Sequence, residues 1–166
     1  VTVRFWTGLL AIALLVGCGA PKEAPLKAAG SCSLALPADI TPDREIWEVI
    51  SAESRFVVSQ EIEPLMQLWS EDAAITDTQH TPADPSDDQT WKGSDAVRYR
   101  YVRSVFPSAP GSAQPRELEI EISGDRATAR GTTSIGGEVS PAGDAWELAL
   151  RDGCWVLTAL TYNLEP

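Results

Sequence analysis

Two side chains in the stretch ITDTQHTPADPSDD, residues 75–88, are candidates for proton transfer: Asp77 and, three positions on, His80, the chain's single histidine. Imidazole titrates nearest neutral pH of the unperturbed side chains, which makes His80 the first choice for acid–base work. A carboxylate beside it would complete a pair able to move a proton next to a carbonyl or hydroxyl, provided an apolar wall raised the carboxyl toward neutrality. The same stretch also reads as a solvated loop, because Pro, Thr and Asp dominate after His80 and an Asp at a strand end commonly serves a turn. Asp84, Asp87 and Asp88 lack the glycine and regular spacing of a calcium loop, and no metal site is expected.

Cysteine supplies the other reactive groups. Cys18 closes Leu15-Val16-Gly17-Cys18, which follows Arg4 and an apolar run over residues 5–16. The run is well short of the roughly 20 residues a helix needs to cross a bilayer. A basic start, a short apolar run and small residues in that order are the anatomy of an export signal. The four-residue string resembles a bacterial lipobox. That resemblance implies cleavage before Cys18 and thioether and amide lipids, palmitate among them, on that residue. It places the protein in the bacterial cell envelope, on the exported side of a membrane. A plain signal peptide or an uncleaved anchor is the alternative. With Cys18 given to lipid, Cys32 and Cys154 are the remaining thiols, and in an oxidising compartment a disulfide between them is expected. Two buried free thiols are the other reading. Neither CxxC nor HxxxH spacing supports a metal, and no cofactor is implied.

Cleavage takes 17 residues from 166 and leaves 149, a length that suits one domain with a core of its own. Loss of Arg4 leaves 12 basic against 24 acidic residues, a net charge of −12 where the whole chain has −11. Such a balance repels phosphate backbones and anionic headgroups, so nucleic acid is excluded as a partner and membrane attachment is expected through lipid, not charge.

The elements that must position these groups follow from period and punctuation. Residues 18–40, rich in Ala, Pro and Gly, read as a flexible tether and 41–166 as the domain. Thr41 can cap a helix, Pro42 suits its first position, and Asp43 and Glu45 complement its dipole. Ile46, Ile50, Phe56 and Val57, with Trp47, Val49 and Val58 beside them, give that helix an apolar side to about Gln60. A shorter helix carries Ile62, Leu65, Met66 and Trp69 on one face. A strand over 73–78 and a long Pro/Asp-rich loop lead through Trp91 and Gly93 to a third helix. Ser94 is its expected cap, and Val97, Tyr101, Val102, Val105 and Phe106 its buried stripe, with Arg98, Arg100 and Arg103 on a solvated face. Then the period changes to two in LEIEI, RATARGTTSI, AWELAL and CWVLTALTYNL, separated by Ser-Gly-Asp, Gly-Gly and Asp-Gly. Helices followed by a meander make an α+β plan, a curved antiparallel sheet with the helices on its concave face.

The order LWSEDAAITD, then WKGSDAVR into a helix, then the hairpin WELALRDGCWVLTALTY resembles the nuclear transport factor 2-like superfamily, and within it the SnoaL-like, polyketide-cyclase-like branch. The likeness spans residues 41–165. Its best segments are Trp69-Ser70-Glu71-Asp72-Ala73, Lys92-Gly93-Ser94-Asp95-Ala96-Val97, Gly124-Asp125-Arg126-Ala127-Thr128-Ala129 and residues 146–155. It implies a cone-shaped α+β barrel, the sheet wrapped around three N-terminal helices to leave an apolar pocket open at one end. Asp77 would stand where the superfamily's enzymes often place a pocket-lining acid, with Trp69, Trp91, Tyr101, Trp146 and Tyr162 as wall. The triads of the family's epoxide hydrolases and ketosteroid isomerases cannot be placed on this chain.

The fold serves enzymes, ligand binders and assembly modules alike, so function has to come from the site. The leading expectation is a lipid-anchored binding module, non-catalytic, holding a small apolar ligand or docking a protein. An isomerase, dehydratase or cyclase using Asp77 and His80 is one alternative, and a structural or assembly module the other. A homodimer through the outer face of the sheet is also expected. There the final strand would lie centrally, and Glu117, Glu119 and Glu121 would be kept to the rim because like charges meeting across a two-fold axis disfavour close packing.

Overall fold

The structure, a computed structural model, describes residues 32–79, 81, 83–108, 111, 116–132, 134–135, 138–139 and 143–162. The expected signal segment, Cys18 and His80 lie outside the described residues. Among the described residues no helix is long and apolar enough to cross a membrane.

Helix α1 (Pro42–Ser59) forms where Pro42 pre-sets the first turn. Thr41 holds the cap position, but its side chain makes no capping bond; its carbonyl accepts from the Glu45 amide at 2.9 Å. Ile46, Val49, Ile50 and Val57 recur at helical spacing and are all buried. Gln60 ends the helix in the left-handed conformation (φ 58°). Helix α2 (Ile62–Met66) is one turn shorter than expected, because Trp69 opens strand β1 (Trp69–Asp77) instead of closing the helix.

Strand β2 (Gln89–Lys92), which the loop-like composition around it concealed, pairs antiparallel with β1, Trp91 opposite Ile75. Helix α3 (Ser94–Arg100) starts one residue earlier than a Ser94 cap would give. Gly93 takes the cap position at φ 83°, and its amide bonds the Ala73 carbonyl at 2.8 Å. The positive φ suits glycine, which has no Cβ to clash. The helix then widens into a π-turn over Tyr101–Val105. The wider turn shifts the apolar stripe, so Tyr101 is buried whereas Val102, expected inside, is exposed.

Strands β3 (Arg116–Ser123), β4 (Arg126–Thr132), β7 (Asp144–Arg151) and β8 (Cys154–Tyr162) follow, with the short pair β5 (Ser134–Ile135) and β6 (Glu138–Val139) forming a separate hairpin. The six-stranded sheet has the order β2-β1-β8-β7-β4-β3. All its pairs are antiparallel except β1–β8, which is parallel because β8 returns beside the first strand from the far side of the meander. Helices α1 and α2 precede the sheet in the chain, α3 follows its first two strands, and α1 and Tyr101 share one hydrophobic core with its concave face.

The apolar pattern on both alternations of β8 has a local cause. Leu148 pairs with Leu157, yet Glu147 pairs with Ala159, so one extra residue of β8 bulges between them. The bulge resets the alternation, and Leu157 before it and Leu160 after it both reach the core.

Cys32 and Cys154 are joined in a disulfide across a sequence separation of 122. Leu34 packs against the core. The expected tether over 18–40 is therefore bound to the domain from Cys32 onward, because a covalent bridge and an apolar contact hold its last residues.

Candidate functional site

Asp77 closes β1 and faces the end of β8, its register partner being Tyr162. The Tyr162 hydroxyl donates to Asp77 Oδ2 at 3.1 Å, and the Gln79 amide donates to Asp77 Oδ1 at 2.9 Å. Both carboxylate oxygens are thus engaged. Thr78 adds a backbone bond to the Tyr162 carbonyl at 3.0 Å, which locks the two strand ends together.

Arg100 was expected on a solvated face and is instead buried at 7% exposure. Three aromatic rings make that burial tolerable: its guanidinium carbon lies 4.7 Å from the Tyr162 ring centre, 5.2 Å from Tyr101 and 5.3 Å from Trp91. Its Nε also donates to the Tyr162 hydroxyl at 3.3 Å. Arg98 does lie on the solvated side, in a two-pronged pair with Glu63 at 2.7 and 2.9 Å. Exposed pairs of that kind add little to stability, because water screens the charges and both side chains lose freedom.

Behind Arg100, the Tyr101 hydroxyl donates to Glu53 Oε1 at 2.8 Å. Burial pushes the Glu53 carboxyl up to about 7, and the opposing bond from Tyr101 and charge of Arg100 do not cancel it; Asp144 pushes in the same upward direction as burial. Burial likewise holds the Tyr101 phenol well above its ordinary value, reinforced by Glu53. Tyr162 is raised by burial too, against the pull of Arg100. The result is a chain of polar groups, Glu53–Tyr101, Arg100, Tyr162–Asp77, running from the closed interior to a half-buried rim at Asp77, Tyr162 and Trp91.

Of the residues expected in the site, Asp77, Trp91, Tyr101 and Tyr162 come together around Arg100. Trp69 and Trp146 are core residues, at 6% and 2% exposure. The Trp69 ring lies 6.3 Å from that of Tyr101. His80 cannot be placed against Asp77, being outside the described residues. Sequence reasoning missed Glu53, Arg100 and Asp144, although a signal for each was present. Glu53 falls three positions after Ile50 and four after Val49 on the α1 stripe. Arg100 falls three after Val97. Asp144 shares the parity of the buried Trp146 and Leu148 on β7.

Among the described residues no group of acids, cysteines or histidines is arranged to hold a metal ion. No protein-family model matches the sequence, and no curated protein is similar to it in sequence. Solved structures are similar in fold. A protein of unknown function with a cystatin-like fold from Nostoc punctiforme superposes with a TM-score of 0.63 at 14% identity, over 76% of this chain and 95% of the other. A nuclear transport factor 2-like protein with a cystatin-like fold from Novosphingobium aromaticivorans gives 0.59 at 21% identity, over 74% and 80%. A hexachlorocyclohexane dehydrochlorinase from Novosphingobium barchaimii gives 0.58 at 18% identity, over 75% and 86%. The chain has the nuclear transport factor 2-like fold, which some enzymes and many proteins of unknown function share.

Proposed function

We propose that this chain is a lipid-anchored envelope protein whose cone binds a small molecule without transforming it. The observation that supports binding over turnover is the mutual engagement of its acid and phenol groups: Tyr101 with Glu53, Tyr162 with Asp77, and Gln79 with the second oxygen of Asp77. Groups held in this way fix the shape and polarity of a recognition surface, whereas a catalytic base needs a lone pair aimed at the proton it abstracts. Trp91 and Tyr162 at the rim offer ring faces to an apolar ligand. Anchoring rests on the string ending in Cys18.

Mass spectrometry of small molecules extracted gently from purified protein should find a stoichiometric compound; protein that emerges empty from its native host argues against the binding role. Labelled palmitate should enter the wild type, and Cys18→Ser should lose both label and membrane fraction. Retained labelling in that variant would refute the anchor.

One observation favours a second reading, proton transfer by an isomerase, dehydratase or cyclase. Glu53, raised to about 7, pairs with a phenol inside an apolar enclosure, with Asp77 at the rim and His80 three residues beyond it in the chain. A dehydrochlorinase is among the structures similar in fold. Chloride release from hexachlorocyclohexane that Asp77→Asn abolishes would put this reading in place of the first.

A further inference from the structure

We infer that the residues just before Cys32 dock on the turn end of the sheet, with Leu26 seated against Ile122 and Leu150 and Lys27 beside Glu121. Ile122 on β3 and Leu150 on β7 are the two large apolar side chains of the sheet left exposed among the described residues, at 42% and 39%. They face the same way. Ile122 pairs with Ala127, Ala127 pairs with Leu148, and Leu150 stands two residues beyond Leu148 on the same side of its strand. Ala127 and Leu148 belong to the core, so both exposed residues project from the core side of the sheet, at the end where β3–β4 and β7–β8 turn. A groove of about 290 Å³ lies there, lined by Glu121, Ile122, Ser123, Arg126, Ala127 and Thr128. Strand β3 is the edge of the sheet, and no further strand covers it.

The chain's own preceding segment is the occupant that fits. Cys154 opens β8 at that same end, and the disulfide brings Cys32 to it with the two Cα atoms 5.4 Å apart. Leu34, two residues after Cys32, packs against the core, the side from which Ile122 and Leu150 project. Ile122 lies three strands away from Cys154, roughly 17 Å across the sheet by strand spacing and rise. Leu26 stands six residues before Cys32 and is the one large apolar side chain between Cys18 and Cys32. Six residues reach at most about 20 Å, enough to set Leu26 in the groove.

Charge agrees with that register. Lys27 follows Leu26, and the carboxylates of Glu121 in the groove and Asp125 at the turn take part in none of the ion pairs among the described residues. The Asp125 carbonyl accepts from the Leu150 amide at 2.8 Å, which sets this acid beside the apolar pair. Arg126 lines the groove as well, so the lysine belongs on the Glu121 side. The bridge makes the contact intramolecular, and closing it orders only the few residues between Leu26 and Cys32. The docking needs no lipid on Cys18. On the anchored reading proposed above, it would leave residues 18–25 as the span to the membrane, under about 30 Å. The turn end of the sheet would then face the lipid. Tyr162, at the far end of the 9-residue strand β8 and roughly 26 Å from Cys154, would open away from it.

Trypsin tests the contact, because Lys22 and Lys27 share the segment and only Lys27 would be held. The full chain in nonionic detergent is digested briefly, and cleavage after each lysine is quantified by mass spectrometry against a synthetic peptide of residues 19–31. Relative to Lys22, Lys27 should be cut roughly tenfold more slowly in the protein than in the peptide, since cleavage follows the population of the undocked form. Leu26→Asp and, separately, Ile122→Asp should each restore the ratio of the matching peptide. Leu26→Asp leaves every described residue unchanged, so it reads the contact even where Ile122→Asp fails to fold. A wild-type ratio equal to that of the peptide, or protection that survives either substitution in a folded variant, overturns the docking. Protection that disappears on dilution assigns the groove to a second copy and overturns it too. Palmitate labelling of Cys18, described above, decides the anchor independently.

Discussion

Glu53 sets a pH dependence that can be written down with its sign. Folding raises its pKa from 4.5 to about 7. Between those values the native state holds a proton that the unfolded chain has released, so stability falls as pH rises through this window and the full benefit is present only below it. The rise corresponds to at most about 3 kcal/mol, at about 1.4 kcal/mol per pKa unit. Glu53→Gln keeps an oxygen for the Tyr101 hydroxyl and removes the charge. The variant should match the wild type near pH 4.5 and exceed it at pH 8 by up to that amount. Urea unfolding midpoints at the two pH values measure the difference, and parallel pH profiles for the two proteins would show that Glu53 is not the group responsible.

At the scale of elements, the disulfide carries the most weight per bond. It fastens the segment before α1 to the turn between β7 and β8, closing a loop of 122 residues. In the chain-entropy description such a closure contributes up to about 5 kcal/mol, and measured losses on removal of native bridges are about 2–5 kcal/mol. Cys32→Ser/Cys154→Ser should therefore unfold at clearly lower denaturant concentration, with a larger gap to the wild type under oxidising than under reducing conditions. Equal midpoints would mean that Leu34 and the sheet hold the segment without the bridge. The β8 bulge acts at the same scale. By sending both Leu157 and Leu160 to the core, it leaves Val156, Ala159 and Thr161 as the outward residues of that strand, smaller and less apolar than the plain alternation implied.

The whole molecule presents that outer face as the surface on which we propose a second copy docks. Strand β8 lies inside the sheet and β3 at its edge, so Glu119 and Glu121 sit at the rim, and the register sets Glu119 opposite Arg130. The rim position and the neighbouring cation reduce the repulsion that three carboxylates would exert across a two-fold axis. Small residues on β8 permit close approach, but the face brings little apolar area and carries exposed Glu147 of β7 beside Ala159, so the dimer should be weak. Sedimentation of the disulfide-bonded domain without lipid should show dimer at tens of micromolar and monomer on dilution. A monomer throughout the range would remove the dimer.

Residue order by itself pointed to the helices, to β1 and the four strands of the meander and, with Cys18 given to lipid, to a pairing of Cys32 with Cys154, because apolar period, turn chemistry and the number of remaining thiols are local or countable properties. It also pointed to Asp77, Trp91, Tyr101 and Tyr162 as members of one site. What it left undecided depends on contacts between distant segments. Strand β2 exists because β1 offers an edge, and its own four residues carry no strand pattern. Arg100 is buried because Trp91, Tyr101 and Tyr162 arrive from three elements to receive its charge. Glu53 is raised because α1 buries it away from water, with Asp144 brought near from β7, and the bond from Tyr101 only partly offsets this. A charged residue on an apolar stripe reads as exposed until its partners are known, and those partners lie 48 residues away for Glu53 and 62 for Arg100.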